Sequence, residues 1–217
     1  MKNLLNKEVR LAASPLAFFF LSAAFMTMLP GYPILMGAFF ICMGIFHSFQ
    51  NAREMNDTLY TVLLPVRKSD FVRAKFAFTC MIELIGFLLS AALTAVRMIF
   101  LSEAKAYTEN ALMNATPYYL AFMLLVFTAF NILFVGGFFK TGYKIGIPFL
   151  IFGIATLVLI GIAEALPHLP GFAYLRNPAG EKLAVQFAML SAAAAVYTVA
   201  TVAACRKAQG RFERIDL

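Results

Sequence analysis

Apolar residues in this chain fall in long consecutive runs rather than in alternation. Residues 15–29, 34–47, 76–100, 117–139, 145–165 and 183–205 are dominated by Phe, Leu, Ile, Val, Ala and Met, and short polar segments separate them. A helix of about 20 apolar residues crosses a hydrocarbon layer roughly 30 Å thick, so the pattern predicts about six transmembrane helices. The run over residues 149–162 is apolar on successive positions and lacks the polar-in, apolar-out period of a lipid-facing barrel, which leaves an all-α polytopic fold. Leu29-Pro30-Gly31-Tyr32-Pro33 has turn chemistry and folds the first two runs into a hairpin. Ahead of them, Leu4, Leu5, Val9 and Leu11 interleave with Lys2, Lys7, Glu8 and Arg10, the pattern of an amphipathic helix lying in the membrane interface. Pro117 sits where the first turn of the fourth span begins.

Composition agrees, since 62% of the 217 residues are hydrophobic and 13% charged, more apolar surface than one water-soluble core can hide. The formal charge of +7 is unevenly placed, which argues against nucleic acid as a partner. Only Arg97, Lys105, Arg176 and Lys182 fall on one side of the expected topology; the other fourteen of the eighteen Lys and Arg lie in the N-terminus, the 48–75 loop, the Lys140–Lys144 connector and the tail. Basic loops are retained in the cytoplasm, so both termini are expected inside. Lys2, Lys7 and Arg10 before an apolar run resemble a secretory signal, but no small-residue cleavage site follows before Pro30, and the first helix is read as retained. With no internal repeat or low-complexity stretch, residues 1–217 read as one transmembrane domain.

Candidate chemistry is sparse. His47 and His168 are expected on opposite faces, no phosphate-binding loop is present, and Cys42, Cys80 and Cys205 lack metal-ligand spacing and read as small buried hydrophobes. No catalytic residue, metal or cofactor is therefore assigned to the chain. Glu83 is the only acid well inside a span, about 10 Å beyond Phe76. A carboxylate there is either part of an ion pathway or a group reaching water or a neighbouring hydroxyl or amide. Asn131 and Gln186 lie in the fourth and sixth spans, where interhelical hydrogen bonding and substrate contact both account for amides.

The segment 48–75 has the wrong composition for a passive linker. Leu59, Val62, Leu63 and Val66, at spacings of three and four, predict a short helix with one apolar face that Pro65 stops, and Ser69 and Asp70 look like a capped start for the next helix. An apolar face there packs on lipid headgroups or docks into a groove on a partner. The stretch Leu63-Leu64-Pro65-Val66-Arg67-Lys68-Ser69-Asp70-Phe71-Val72-Arg73-Ala74-Lys75 resembles the "LPVSRKDIVLGKY"-type loop of short permease subunits of ABC-2-type transporters. Phe138-Phe139-Lys140-Thr141-Gly142-Tyr143-Lys144 is similar to their "FKFGYEK"-type connector. Here Arg67 follows Val66 directly where a small polar residue is usual, and Thr141 takes an aromatic position.

The resemblance implies a dimerising exporter permease in a bacterial plasma membrane, driven by a separate ATPase that binds ATP and Mg. Asp57, Leu59, Tyr60, Leu63, Leu64, Pro65, Arg67, Lys68 and Asp70 would couple to that ATPase, and Lys140, Tyr143 and Lys144 would form a second contact. A narrower similarity, to exporters of amphipathic peptides such as phenol-soluble modulins and to bacteriocin-resistance permeases, implies amphipathic or hydrophobic cargo. Span one with its surface helix, and span five, are the expected dimer faces. Two other functions stay open: a gradient-driven carrier or channel using Glu83, and a non-transporting membrane scaffold.

Overall fold

The computed structural model describes residues 2–141, 144–176 and 181–215. Among them there is no strand. Helix α1 (Lys2–Lys7) continues as a π-helical stretch, Glu8–Ala12, and α2 (Pro15–Phe19) continues as a 3₁₀ stretch, Phe20–Met28. These two units meet at a 92° bend, so the first lies across the axis of the second, as an interfacial helix would. Next come α3 (Met36–Glu54), α4 (Asp57–Leu63), α5 (Lys68–Phe100) and the short α6 (Lys105–Thr108). Then α7 (Pro117–Ala129) passes through a π-helical stretch, Phe130–Val135, into α8 (Gly136–Thr141), and α9 (Gly146–Ala165) and α10 (Glu181–Phe212) complete the bundle.

Among the described residues four helical units are long and apolar enough to cross a membrane: Lys68–Phe100, Pro117–Thr141, Gly146–His168 and Glu181–Phe212; the bent pair would make a fifth. The expected six therefore do not all appear by length and composition, and the shortfall lies in the first hairpin. A 3₁₀ helix rises about 2 Å per residue against 1.5 Å for an α-helix, so α2 and its extension reach roughly 25 Å in only 14 residues. Side-chain hydroxyls that donate to backbone carbonyls, Ser22 Oγ to Phe19 O and Thr27 Oγ1 to Ala24 O, both i to i−3, accompany that winding. Its two ends are tied to α3 and α5: Ser14 N donates to Ser48 Oγ at 3.0 Å, and Arg97 Nη1 donates to Thr27 O at 2.8 Å. Between those ties α3 presents two glycines. A Cβ on Gly44 would meet Phe20 Cβ at 2.9 Å and Ala17 Cα at 3.1 Å, and one on Gly37 would meet Ala23 O at 2.8 Å, so only glycine lets the hairpin close this tightly.

At the centre stands α7, in which every residue except Leu125 and Ala129 is buried, as an element apolar all round should be. Pro117 occupies its first turn as expected. Aromatic rings fill the basic half of the bundle: Phe46 stacks on Phe149 at 4.0 Å, Phe130 on Phe134 at 4.8 Å, and Phe49 meets Phe138 edge-on at 5.1 Å. Leu150, Ile154, Leu157 and Val158 of α9, and Phe187, Val199 and Val202 of α10, face outward as a lipid-facing surface would.

Helices and expected spans do not share their ends. Helix α3 continues past His47, the expected end of span two, to Glu54. The third span does not start behind a Ser69–Asp70 cap; α5 begins at Lys68, Arg67 precedes it without a side-chain capping bond, and both residues fall in its first turn. The basic tail begins as helix, for α10 continues to Phe212, whose buried ring packs against Phe71 and Phe139. In each case the helix outruns the apolar run, which is all that a hydropathy criterion registers.

Candidate functional site

The helix α4 is folded inside out. Asn56 turns the chain with φ of 50°, a left-handed conformation that Asn tolerates, and Leu64 and Pro65 end the helix as expected. Asp57 and Thr61, four residues apart, face the bundle, and Thr61 is fully buried. Leu59, Tyr60 and Leu63 face away, Leu63 being 78% exposed. The apolar face thus points outward and the polar face inward, the reverse of an ordinary surface helix. Residue spacing marks the amphipathic face but not its direction, and the side chain of Val62 lies outside what the structure describes.

The inward face is held by a ring of four charges. Lys75 Nζ lies 2.6 Å from Glu8 Oε2 and 3.4 Å from Asp57 Oδ2, while Lys7 Nζ lies 2.5 Å from Asp57 Oδ1 and 3.3 Å from Glu8 Oε1. Lys7 also donates to Thr61 Oγ1 at 2.7 Å. The side chains of Glu8 and Lys75 are 1% and 3% exposed. Signs alternate around the ring and sum to zero, which is what allows four ionised groups to be withdrawn from water together. Phe71 lies 5.4 Å below Lys7 Nζ, and Phe71 and Phe49 each lie 5.6 Å from Lys75 Nζ, so ring faces cover the cations on the bundle side. Through this ring α1 and its π extension, α4 and the base of α5 become one electrostatic unit. Of its members only Asp57 was expected as a partner contact; the available signal was Lys75, a lysine between Phe71 and Phe76 where α5 turns from polar to apolar.

The other expected contact residues lie around it. Leu64, Pro65 and Arg67 are exposed, Lys68 donates to Ile215 O at 2.6 Å, and Asp70 lies 3.7 Å from Arg73. Lys140 and Lys144 are exposed at this same end, next to the Phe139 ring that packs on Phe71; Tyr143 lies outside the described residues.

The intramembrane polar residues separate into two roles. Glu83 is buried, and its Oε2 accepts from Asn131 Nδ2 at 2.9 Å and from Tyr197 OH at 2.7 Å; Asn131 also reaches Thr201 Oγ1 at 3.2 Å. Asn131 stands in the π stretch, where the extra residue per turn moves it toward α5 and α10. Glu83 thus pairs with a neighbouring hydroxyl and a neighbouring amide and joins three helices, and its Oε1 has no hydrogen-bond partner among the described residues. An apolar cavity of about 480 Å³ between α5, α7 and α10 opens beside Glu83 and Tyr197. Gln186 instead closes the far end: it accepts from Tyr118 N at 3.2 Å and donates to Tyr174 O and Leu175 O, both at 3.0 Å, stapling the start of α7 to α10 and the preceding loop. No group of three or more metal-ligating side chains occurs among the described residues.

A family model described as "ABC-2 family transporter protein" matches residues 3–205. Neither the curated proteins nor the solved structures contain a match.

Proposed function

The chain belongs to the ABC-2 family of transporter proteins, which makes it a membrane component of such a transporter, and we propose that it is the permease subunit of an exporter whose ATPase is a separate chain docking on α4. The observation that carries this is the outward apolar face of α4, Leu59, Tyr60 and Leu63, on a helix whose polar face is locked inward by the ring of Lys7, Glu8, Asp57 and Lys75. A helix held that way offers apolar area to a groove on another protein. The partner binds ATP and Mg, and the fourteen basic residues at the ring's end support a cytoplasmic location for that end and for both termini. On this reading the first hairpin crosses the membrane as well, giving six spans.

ATP-driven closure of the partner displaces α4, and the ring passes the displacement to α1 and to α5. Because α5 is one continuous helix of 33 residues, roughly 50 Å long, movement at its base reaches the opposite membrane face. A second permease copy completes the pathway. The apolar cavity beside Glu83 and Tyr197, with a polar floor and open to lipid, suits an amphipathic or hydrophobic cargo such as a peptide.

Copurification with the cognate ATPase tests the docking. Leu63→Asp together with Tyr60→Asp abolishes the complex while leaving the permease folded; full retention of the complex by that variant refutes it.

A further inference from the structure

At the end opposite the ring lies a second buried charge, and among the described residues no carboxylate neutralises it. Arg97 is 3% exposed. Its Nη1 donates to Thr27 O and its Nη2 to Asn114 Oδ1, both at 2.8 Å, and its guanidinium stacks 4.0 Å from the Tyr107 ring. Each of these partners is neutral, and among the described residues no carboxylate lies within ion-pair distance of Arg97. A buried guanidinium has five donors and a full positive charge, and hydrogen bonds to neutral acceptors satisfy the first better than the second.

Arg97 also lines a cavity of about 300 Å³, with Met98, Leu101, Ser102, Asn114 and Thr116 around it. Thr116 is buried there, and its Oγ1 has no hydrogen-bond partner. An uncompensated cation and an idle hydroxyl therefore border one space whose remaining wall is partly aliphatic. Depth identifies what belongs in it. Lys75 and Arg97 are 22 positions apart on one continuous helix, which is roughly 33 Å, close to the thickness of the hydrocarbon layer. With Lys75 at one edge of the lipid, Arg97 stands at the other, level with the phosphates of that leaflet.

We propose that this cavity is a binding site for the phosphate of an anionic phospholipid in the leaflet on the Arg97 side, with Arg97 as the charged donor, Thr116 Oγ1 as a second donor, and Met98 and Leu101 against the start of the acyl chains. The site uses only the depth of α5 and the local geometry, so it stands or falls separately from the docking at α4.

The test is lipid titration of the delipidated protein, read by native mass spectrometry, with phosphatidylglycerol, phosphatidylcholine and inorganic phosphate. Wild type binds phosphatidylglycerol in preference to phosphatidylcholine, and Arg97→Gln weakens that binding tenfold or more, the loss expected for one charge-assisted bond. Thr116→Val weakens it about two- to tenfold, as for a neutral one. Since Arg97 also holds Thr27 and Asn114, the deciding variant is Ser102→Asp at the exposed rim of the cavity. It folds as wild type, supplies the missing carboxylate from within, and removes the preference for phosphatidylglycerol. The proposal is overturned if a folded Ser102→Asp keeps that preference, if wild type shows none, or if millimolar inorganic phosphate displaces the lipid, which would make it a free-anion site.

Discussion

Replacing Lys75 with methionine should release α4 from the bundle. The substitution keeps most of the side-chain volume beneath Phe49 and Phe71 but deletes the ammonium that contacts both Glu8 and Asp57. Two carboxylates then share Lys7 alone, and the buried ring carries a net charge of −1. Removing one partner of a buried pair costs about 3–5 kcal/mol. A seven-residue helix does not hold itself together in water, so protection of the α4 amides comes from docking. At 1.4 kcal/mol per decade, hydrogen exchange over residues 57–63 should quicken by about two to three and a half orders of magnitude, or up to the unprotected rate, while residues 146–165 of α9 stay unchanged. Adding Glu8→Gln restores charge balance, with Lys7 and Asp57 still paired, so the double variant should recover much of the protection. Exchange within threefold of wild type in Lys75→Met, or a double variant no better than the single, would refute the idea that the ring fixes α4.

Three further outcomes follow from the same structure. Gly44→Val drives a side chain into Phe20 and Ala17 and should lower stability by about 1–3 kcal/mol in thermal unfolding, whereas Gly153→Ala, with open space around it, should be neutral or slightly stabilising. Glu83→Gln keeps an oxygen to accept from Asn131 and Tyr197, so both stability and ATP-driven transport should survive it; Glu83→Leu orphans both donors and should cost about 1–3 kcal/mol for each. Loss of transport in a stable Glu83→Gln protein would favour a gradient-driven carrier. Gln186→Leu frees Tyr118 N, Tyr174 O and Leu175 O and should speed exchange at the start of α7 without changing association with the ATPase.

The all-α membrane fold was legible because apolar runs and proline stops are local signals. Pro117 at the start of α7 and Pro65 after α4 fell where their backbone chemistry placed them. Helix ends were less legible: α5 and α10 extend past the lipid in polar sequence, where hydropathy has nothing to report. Non-α winding was hidden too, since Phe20–Met28 and Phe130–Val135 look like any apolar helix, and their pitch is set by neighbours such as α3, α5 and α10. The ring was missed because Lys7 and Glu8 fit the polar face of an interfacial helix and Lys75 entered only the count of basic residues. Only the 92° bend behind α1 brings residues 8, 57 and 75 together, and no local pattern encodes that meeting.

The central claim is that the outward face of α4 is seated in a nucleotide-hydrolysing partner. Its most direct test is a photo-crosslinking residue placed at position 60 or 63 and activated in membranes containing the cognate ATPase, with position 154 on α9 as control. Adducts to the ATPase from 60 and 63, absent from 154, are the expected result. Adducts to lipid alone from all three positions would contradict it.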